Sequence, residues 1–263
     1  MSFKDILFCK DGSIATITLN RPASFNALDL NISNEICTAL EVCRSDQGIR
    51  VVILTGSGKV FCSGGDIKYF EQFAHSDPCE PVRRVLEPLH RIILQIRHMP
   101  KPVLAVINGA VGGAGMSLAL ACDLRLCSSQ AKFKQAYTSL GLAPDAGWSL
   151  WVGLLAGFAR ANEMVFLDPV FDADQALTMN LIHKVVAPEE LAEAARVWAE
   201  KLAAGATRSF AIAKQNLNQA LLSLLERQLE VERQGVLDAA QSDDYQEGLE
   251  AFLKKRKPLF KGS

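Results

Sequence analysis

The chain has 263 residues, 49% hydrophobic and 22% charged, with a formal net charge of −1. That is ample apolar material for a core, and too little charge imbalance to draw the protein to nucleic acid or an anionic membrane. No apolar run approaches the ~18 residues of a membrane span, and the N-terminal "MSFKDILFCKDG" lacks the basic region and long apolar stretch of a signal peptide. Seven scattered cysteines form no CxxC pair, and His75, His90, His98 and His183 show no HxH or HxxxH spacing. No metal site is expected; the thiols read as reduced core residues, and the expected location is cytoplasmic.

In chain order, Ile6–Cys9 and Ile14–Leu19 flank "KDG", whose Asp-Gly favours a tight turn and predicts a β-hairpin. Asp29 is placed to cap a helix carrying Leu30, Ile32, Ile36, Leu40 and Cys43. "VVILT" (Val51–Thr55) and "PVLAVI" (Pro102–Ile107) are continuous apolar runs, the pattern of strands covered on both faces. "DLRLC" (Asp123–Cys127) and "HKVV" (His183–Val186) predict two further short strands. Helical periodicity falls near residues 66–74, 82–97, 114–121, 150–167 and 173–179, while "HSDPCEPV" (His75–Val82), with two prolines, reads as a loop. Strands alternating with helices predict an α/β architecture with parallel pairing. From Glu189 to Lys255 the pattern is almost wholly helical with a break at Gly205, so a helical C-terminal section is expected over residues 200–263.

Four glycines fall within seven residues of "AVINGAVGGAGMSLALACD" (Ala105–Asp123), between a predicted strand and a predicted helix. A second turn of this kind, "VFCSGGDIKYF" (Val60–Phe70), follows "VVILT". Neither GxGxxG nor GxxxxGK[ST] occurs, so the dinucleotide and P-loop readings lose their specific support. Turns at helix N-termini present free backbone N–H groups. Two such donors converging on one carbonyl oxygen stabilise an enolate or tetrahedral anion; as simple tight connections they do nothing chemical. The residues alone leave both readings open.

The segments "LNRPASFNAL", "VVILTGSGKVFCSGGDIK", "KPVLAVINGAVGGAGMSLALACDLRL", "AKFKQAYTSLGLAPDAG" and "FLKKRKPLFKG" together resemble the crotonase superfamily, the enoyl-CoA hydratase/isomerase family, over nearly the whole chain. The resemblance implies a crotonase-like spiral of ββα units over residues 1–199 that binds acyl-CoA, followed by a helical trimerisation section over 200–263. It implies an acyl-CoA thioester as partner, a homotrimer or dimer of trimers, and no cofactor beyond the CoA of the substrate. It maps the oxyanion donors to the backbone N–H groups of Gly65 and Ala114. Alanine stands there where the family usually has glycine, a change that a main-chain donor survives if φ stays negative. It also lays Gly65, Asp66, Ile67 and Lys68 along the thioester and adenine end of the substrate. In the basic tail "KKRKPLFKG", Lys257 and Phe260 are the residues to hold the CoA nucleotide, in this or the neighbouring subunit; otherwise the run is a solvated end.

Family hydratases use two glutamates, and those positions fall here at Ser117 and Tyr137. A hydroxyl of ordinary pKa is a poor general base at neutral pH, so water addition by the usual pair is disfavoured. Asp145, in "LGLAPDAGW", resembles the carboxylate that family isomerases carry at this loop, and one carboxylate suffices to move a proton between two carbons. Leu142, Ala143, Pro144 and Trp148 are expected to form an apolar wall that raises its pKa, and Tyr137 and Trp148 to contact the substrate. The competing reading of Asp145 is a turn or N-cap residue. Asp66 is expected to cap a helix, Ser117 to line the pocket as a packing residue, and Asp123 to be structural. His90 lies where 4-chlorobenzoyl-CoA dehalogenases carry a histidine that assists a nucleophilic aspartate, although a lone histidine on an amphipathic helix is usually structural. The sequence therefore favours an enoyl-CoA isomerase using Asp145, Gly65 and Ala114. The alternatives are an enoyl-CoA or cyclic dienoyl-CoA hydratase, a dehalogenase using Asp145 and His90, and an inactive CoA-binding scaffold.

Overall fold

The computed structural model describes residues 3–73 and 76–263. The hairpin forms as β1 (Ile6–Asp11) and β2 (Ile14–Leu19), antiparallel, with left-handed Gly12 in the turn. Helix α1 (Leu30–Ser45) starts at Asp29, whose carboxylate accepts from the Asn31 and Ile32 N–H groups; a cap of this kind contributes ~1 kcal/mol. Three units of similar build follow. The first is β3 (Val51–Gly56), β4 (Val60–Cys62), α2 (Ile67–Glu71) and α3 (Cys79–His98). The second is β5 (Val103–Ile107), β6 (Ala110–Gly112) and α4 (Ala114–Ala121). The third is β7 (Leu124–Ser128), β8 (Lys132–Lys134), α5 (Trp148–Leu155) and α6 (Phe158–Leu167). Then come β9 (Phe171–Asp172), α7 (Ala173–Thr178) and β10 (Lys184–Val186). Helices α8 (Leu191–Ala204), α9 (Thr207–Gln219), α10 (Leu222–Ala240) and α11 (Asp243–Leu253) complete the chain.

Each unit sends its first strand to one sheet and its second to another. The larger sheet runs β1-β2-β3-β5-β7-β10 and the smaller β4-β6-β8-β9. Parallel pairing holds throughout except at β1–β2 and β8–β9. This is the expected ββα spiral. The short second strands were not foreseen, because three residues are too few to show an alternating pattern. Strand β5 is buried at every position, as its continuous apolar run requires. On one face α3 packs on α1, where the Cys37 thiol donates to Pro88 O, Arg91 donates to Asn34 and Gln95 donates to Cys37 O. On the other, Leu191, Ala195 and Ala199 of α8 cover Leu104, Val106 and Val51. The 199/200 junction thus falls inside a helix that lies on the sheet.

Other boundaries differ from expectation for local reasons. Residues 79–82 of the expected loop are helical, and His75 lies outside the described residues. Pro81 sits in the first turn of α3, where its missing N–H has no partner to lose, and Asp77 accepts from the Cys79 and Glu80 N–H groups. The helical pattern at 150–167 divides at left-handed Gly157. The C-terminal run breaks not only at Gly205 but also between α9 and α10 and between α10 and α11. Six of the seven cysteines are buried and all are free, with Cys9 exposed.

Candidate functional site

The two glycine-rich turns meet. A Cβ built on Gly115 would stand 2.4 Å from the Cys62 carbonyl oxygen, so the head of α4 can lie against β4 only without a side chain there. Gly64, at φ 98°, must be glycine for its backbone conformation, and a Cβ on it would come within 3.3 Å of the Ala114 nitrogen. The first role of these glycines is therefore to let one turn approach the other. The 63–66 turn is also pinned from behind: Leu28 N–H donates to Gly64 O (2.7 Å) and Asp66 N–H to Leu28 O (2.9 Å). Gly65, between those bonds, donates its own N–H to no acceptor among the described residues, and neither does Ala114 at the first position of α4. Ala114 is not left-handed, so its N–H keeps the geometry a glycine would give.

Both residues line one cavity of about 390 Å³. Its apolar wall comes from Val82, Val85, Leu86 and Leu89 of α3 together with Leu142 and Val236, and Lys134 and Arg256 supply its cations. Asp145 and Tyr137 also line it. Asp145 is 6% exposed, and its Oδ1 accepts a 2.7 Å hydrogen bond from the Tyr137 hydroxyl. Ser117 donates to the Asp145 carbonyl oxygen (2.9 Å) and lies 3.5 Å from the Tyr137 hydroxyl. Burial pushes the Asp145 carboxyl up to about 7, against the Tyr137 hydrogen bond, which holds it down, and with the nearby charge of Glu232 adding to the rise. The Tyr137 phenol is pushed well above its usual range by burial and then by the Asp145 charge, so it acts as a hydrogen-bond donor. A buried carboxyl with a proton affinity near neutrality, lining the same cavity as two N–H groups without an acceptor among the described residues, can exchange protons with a ligand whose oxygen those groups hold.

The expected cap reading of Asp145 does not describe its side chain, which accepts no backbone N–H. The first turn of α5 is instead capped by Glu232 on α10, which accepts from Gly147 N–H (2.6 Å) and Ser149 N–H (3.0 Å). Between Asp145 and α5 the chain passes through two left-handed residues, Ala146 (φ 58°) and Gly147 (φ 82°). For alanine that conformation costs ~1–2 kcal/mol.

The other expected residues fall in several places. Ile67 lines the cavity with Gly65. Asp66 does not: its carboxylate caps α2 by accepting from the Lys68 and Tyr69 N–H groups and pairs with Arg21 at 2.9 Å. Lys68 is exposed and outside the lining. Trp148 is a correction to the expected wall: it is 1% exposed, donates to the Met116 sulfur and stands in the core behind the cavity. Ser117 likewise lies behind the wall and anchors the loop rather than lining the pocket. Lys257 and Phe260 are exposed and off the cavity, whereas Arg256 and Pro258 between and beside them line it. The tail folds back on its own α11, with the Lys261 and Gly262 N–H groups on the Asp244 carboxylate. His90 is 5% exposed and not part of the lining; Arg233 lies 3.4 Å from its Nδ1, and burial, helped by that charge, lowers its pKa to about 4. Among the described residues no group of His, Cys, Asp and Glu is arranged to hold a metal ion. Sequence reasoning missed Glu232, since a glutamate in "LEVERQG" looks like a solvent-facing helix residue. The α3 wall carried a signal in its apolar periodicity, which did not say which part of it would remain uncovered.

The sequence profile of the enoyl-CoA hydratase/isomerase family matches residues 10–263. Over 262 residues, the whole of both chains, the protein is 37% identical to a probable enoyl-CoA hydratase of Rhodobacter capsulatus. It is 36% identical over 264 residues, 98% of each chain, to the 1,2-epoxyphenylacetyl-CoA isomerase of Escherichia coli. The crystal structure of an enoyl-CoA hydratase from Mycobacterium avium subsp. paratuberculosis aligns with a TM-score of 0.90 at 31% identity, over 99% of this chain and all of the other. Names of both kinds of activity are thus found at similar distance.

Proposed function

We propose that this protein, which belongs to the enoyl-CoA hydratase/isomerase family, moves a carbon–carbon double bond within an acyl-CoA thioester, using Asp145 as its single proton carrier. The Gly65 and Ala114 N–H groups form the oxyanion hole. The observation that carries this reading is the Asp145 carboxyl, facing the cavity with no cation paired to it among the described residues, while the positions of the hydratase glutamates hold Ser117 and Tyr137.

The Asp145 carboxylate removes a proton from the carbon next to the thioester carbonyl. The electron pair moves onto the carbonyl oxygen, where the two N–H donors meet it; each such donor is worth ~2.7–4 kcal/mol in the transition state. The protonated Asp145 then delivers its proton to the far end of the dienolate, and the double bond has shifted with no water consumed. Tyr137 occupies Oδ1 and so directs Oδ2 to the substrate. A carboxyl near 7 is suited to both halves of the cycle, because base and acid forms are both populated at neutral pH. Water addition would need a second acid/base group, and dehalogenation would need His90 to reach the cavity. CoA belongs to the substrate, and no further cofactor is required by these steps. The exposed apolar side chains Phe158, Phe166 and Leu167 on α6 support assembly into the trimer or hexamer expected of the family.

A 3-enoyl-CoA incubated with the protein should give the 2-enoyl-CoA; in D₂O, deuterium enters carbon 4 in those turnovers in which the Asp145 carboxyl exchanges its proton with solvent before delivering it. Asp145→Asn should lower the rate by roughly 10²–10⁴-fold while CoA-thioester binding persists. Undiminished turnover by that variant, or binding without turnover or exchange across enoyl, cyclic-dienoyl and aryl thioesters, would refute the assignment.

A further inference from the structure

The turn Pro144-Asp145-Ala146-Gly147 leads into α5, so Asp145 is the acid that sequence position would assign to the free N–H groups of the first helical turn. Its carboxylate is instead free of them. Glu232 takes both, one on each oxygen, although it lies 85 residues from Gly147 and arrives on another helix. It is 5% exposed, and no cation pairs with it among the described residues. The helix N-terminus is the positive end of the α5 dipole, which suits an anion there, and hydrogen bonds to a charged acceptor are stronger than neutral ones.

We propose that Glu232 is a positioning residue for the reaction: by capping α5 from α10 it holds the left-handed Ala146–Gly147 turn in place and leaves the Asp145 carboxylate free to face the substrate cavity. Left-handed alanine persists only where the surroundings over-determine it, and the two Glu232 bonds fall at Gly147 and just past it. Glu232 also acts through charge. The polar groups facing it are Gln228 on its own helix and Ser149 on α5, with Asp145 and Tyr137 on the catalytic loop. Its negative charge makes Asp145 harder to ionise, and a neutral residue there would make it easier. This role rests on Asp145 being the proton carrier.

The test compares Glu232→Gln, which is neutral and keeps one acceptor oxygen, with Glu232→Asp, which keeps the charge. For isomerisation of a 3-enoyl-CoA, Glu232→Gln should lower kcat by roughly 10–100-fold while KM changes by less than about threefold. The rising limb of its pH profile should move to lower pH; in Glu232→Asp the limb should stay near that of the unmodified protein. If Glu232→Gln fails to fold, Ser149→Pro removes one of the two N–H donors at a helix position that tolerates proline, and should show the same kcat-specific loss. A Glu232→Gln protein with unchanged rate, or with a lower rate but an unmoved pH limb, would overturn the proposal. Asp145→Asn separates the two ideas. If it is active, the Asp145 assignment itself fails; if it is inactive while Glu232→Gln works normally, only the role of Glu232 fails.

Discussion

Asp123 and Asp145 are both drawn below the surface of the same chain, in opposite electrostatic company. Asp123 accepts from the Lys214 ammonium (2.7 Å), the Arg97 guanidinium (3.3 Å) and the Val103 N–H (2.8 Å), tying α9, α3 and β5 together. Among the described residues Asp145 accepts from a phenol alone, and the charge that acts on it is a second carboxylate. The first carboxylate is held in place by permanent partners. The second keeps an affinity for a proton that the cavity can use. Asp145 is buried more deeply than Asp123, and no cation among the described residues offsets that burial.

The comparison can be strained most severely at Asp123. Asp123→Ala leaves Lys214, 9% exposed, without its counter-charge, and should cost ~3–5 kcal/mol in urea unfolding; a loss under about 1 kcal/mol would show the cluster to be incidental. Asp145 should behave in the opposite sense. Its folded pKa of about 7 lies above the unfolded value, so the fold binds that proton more tightly. The resulting stabilisation is complete below about pH 4 and is lost as pH rises to about 7, amounting to about 4 kcal/mol over the interval. Asp145→Asn should flatten that slope and be more stable than the unmodified protein at pH 8, as thermal unfolding across pH will show. A smaller effect is expected of Tyr137→Phe. Removing the hydroxyl that holds the Asp145 pKa down should move the rising limb of the rate to higher pH and lower kcat at pH 7 by about tenfold. Smallest of all, His90→Gln should keep the isomerisation rate within about threefold, since His90 is neutral at pH 7 and outside the cavity lining. A loss of several orders would instead require His90 to take part in the chemistry.

Much of the frame was legible because the signals are local. "VVILT" and "PVLAVI" are strands covered on both faces, Asp29 and Asp66 stand at the helix starts they cap, and the glycines of both turns mark backbone that must come close. Asp145, Gly65 and Ala114, which line one cavity, could be singled out for the same reason, each lying in a short motif. Trp148 could not be placed from its position, because one turn of α5 decides whether a ring faces the cavity or the core, and it faces the Met116 sulfur. Ser117 failed likewise: its hydroxyl is spent on the Asp145 carbonyl. At the C-terminus the basic run indicated the right neighbourhood but the wrong members, since the path of the tail along α11 brings Arg256 and Pro258 to the cavity.

Periodicity, capping residues and motif glycines act over a few neighbouring positions, so the family, the alternation of strands and helices, and the residue types available for chemistry follow from the order of the residues. Only the packing of distant segments set the company that each carboxylate keeps. Asp123, Asp145 and Glu232 look alike in the chain; what sets them apart is Lys214, Tyr137 and the head of α5, brought to them from distant segments. Electrostatics depends on distance in space and on exclusion of water, and neither is written in the order of the residues.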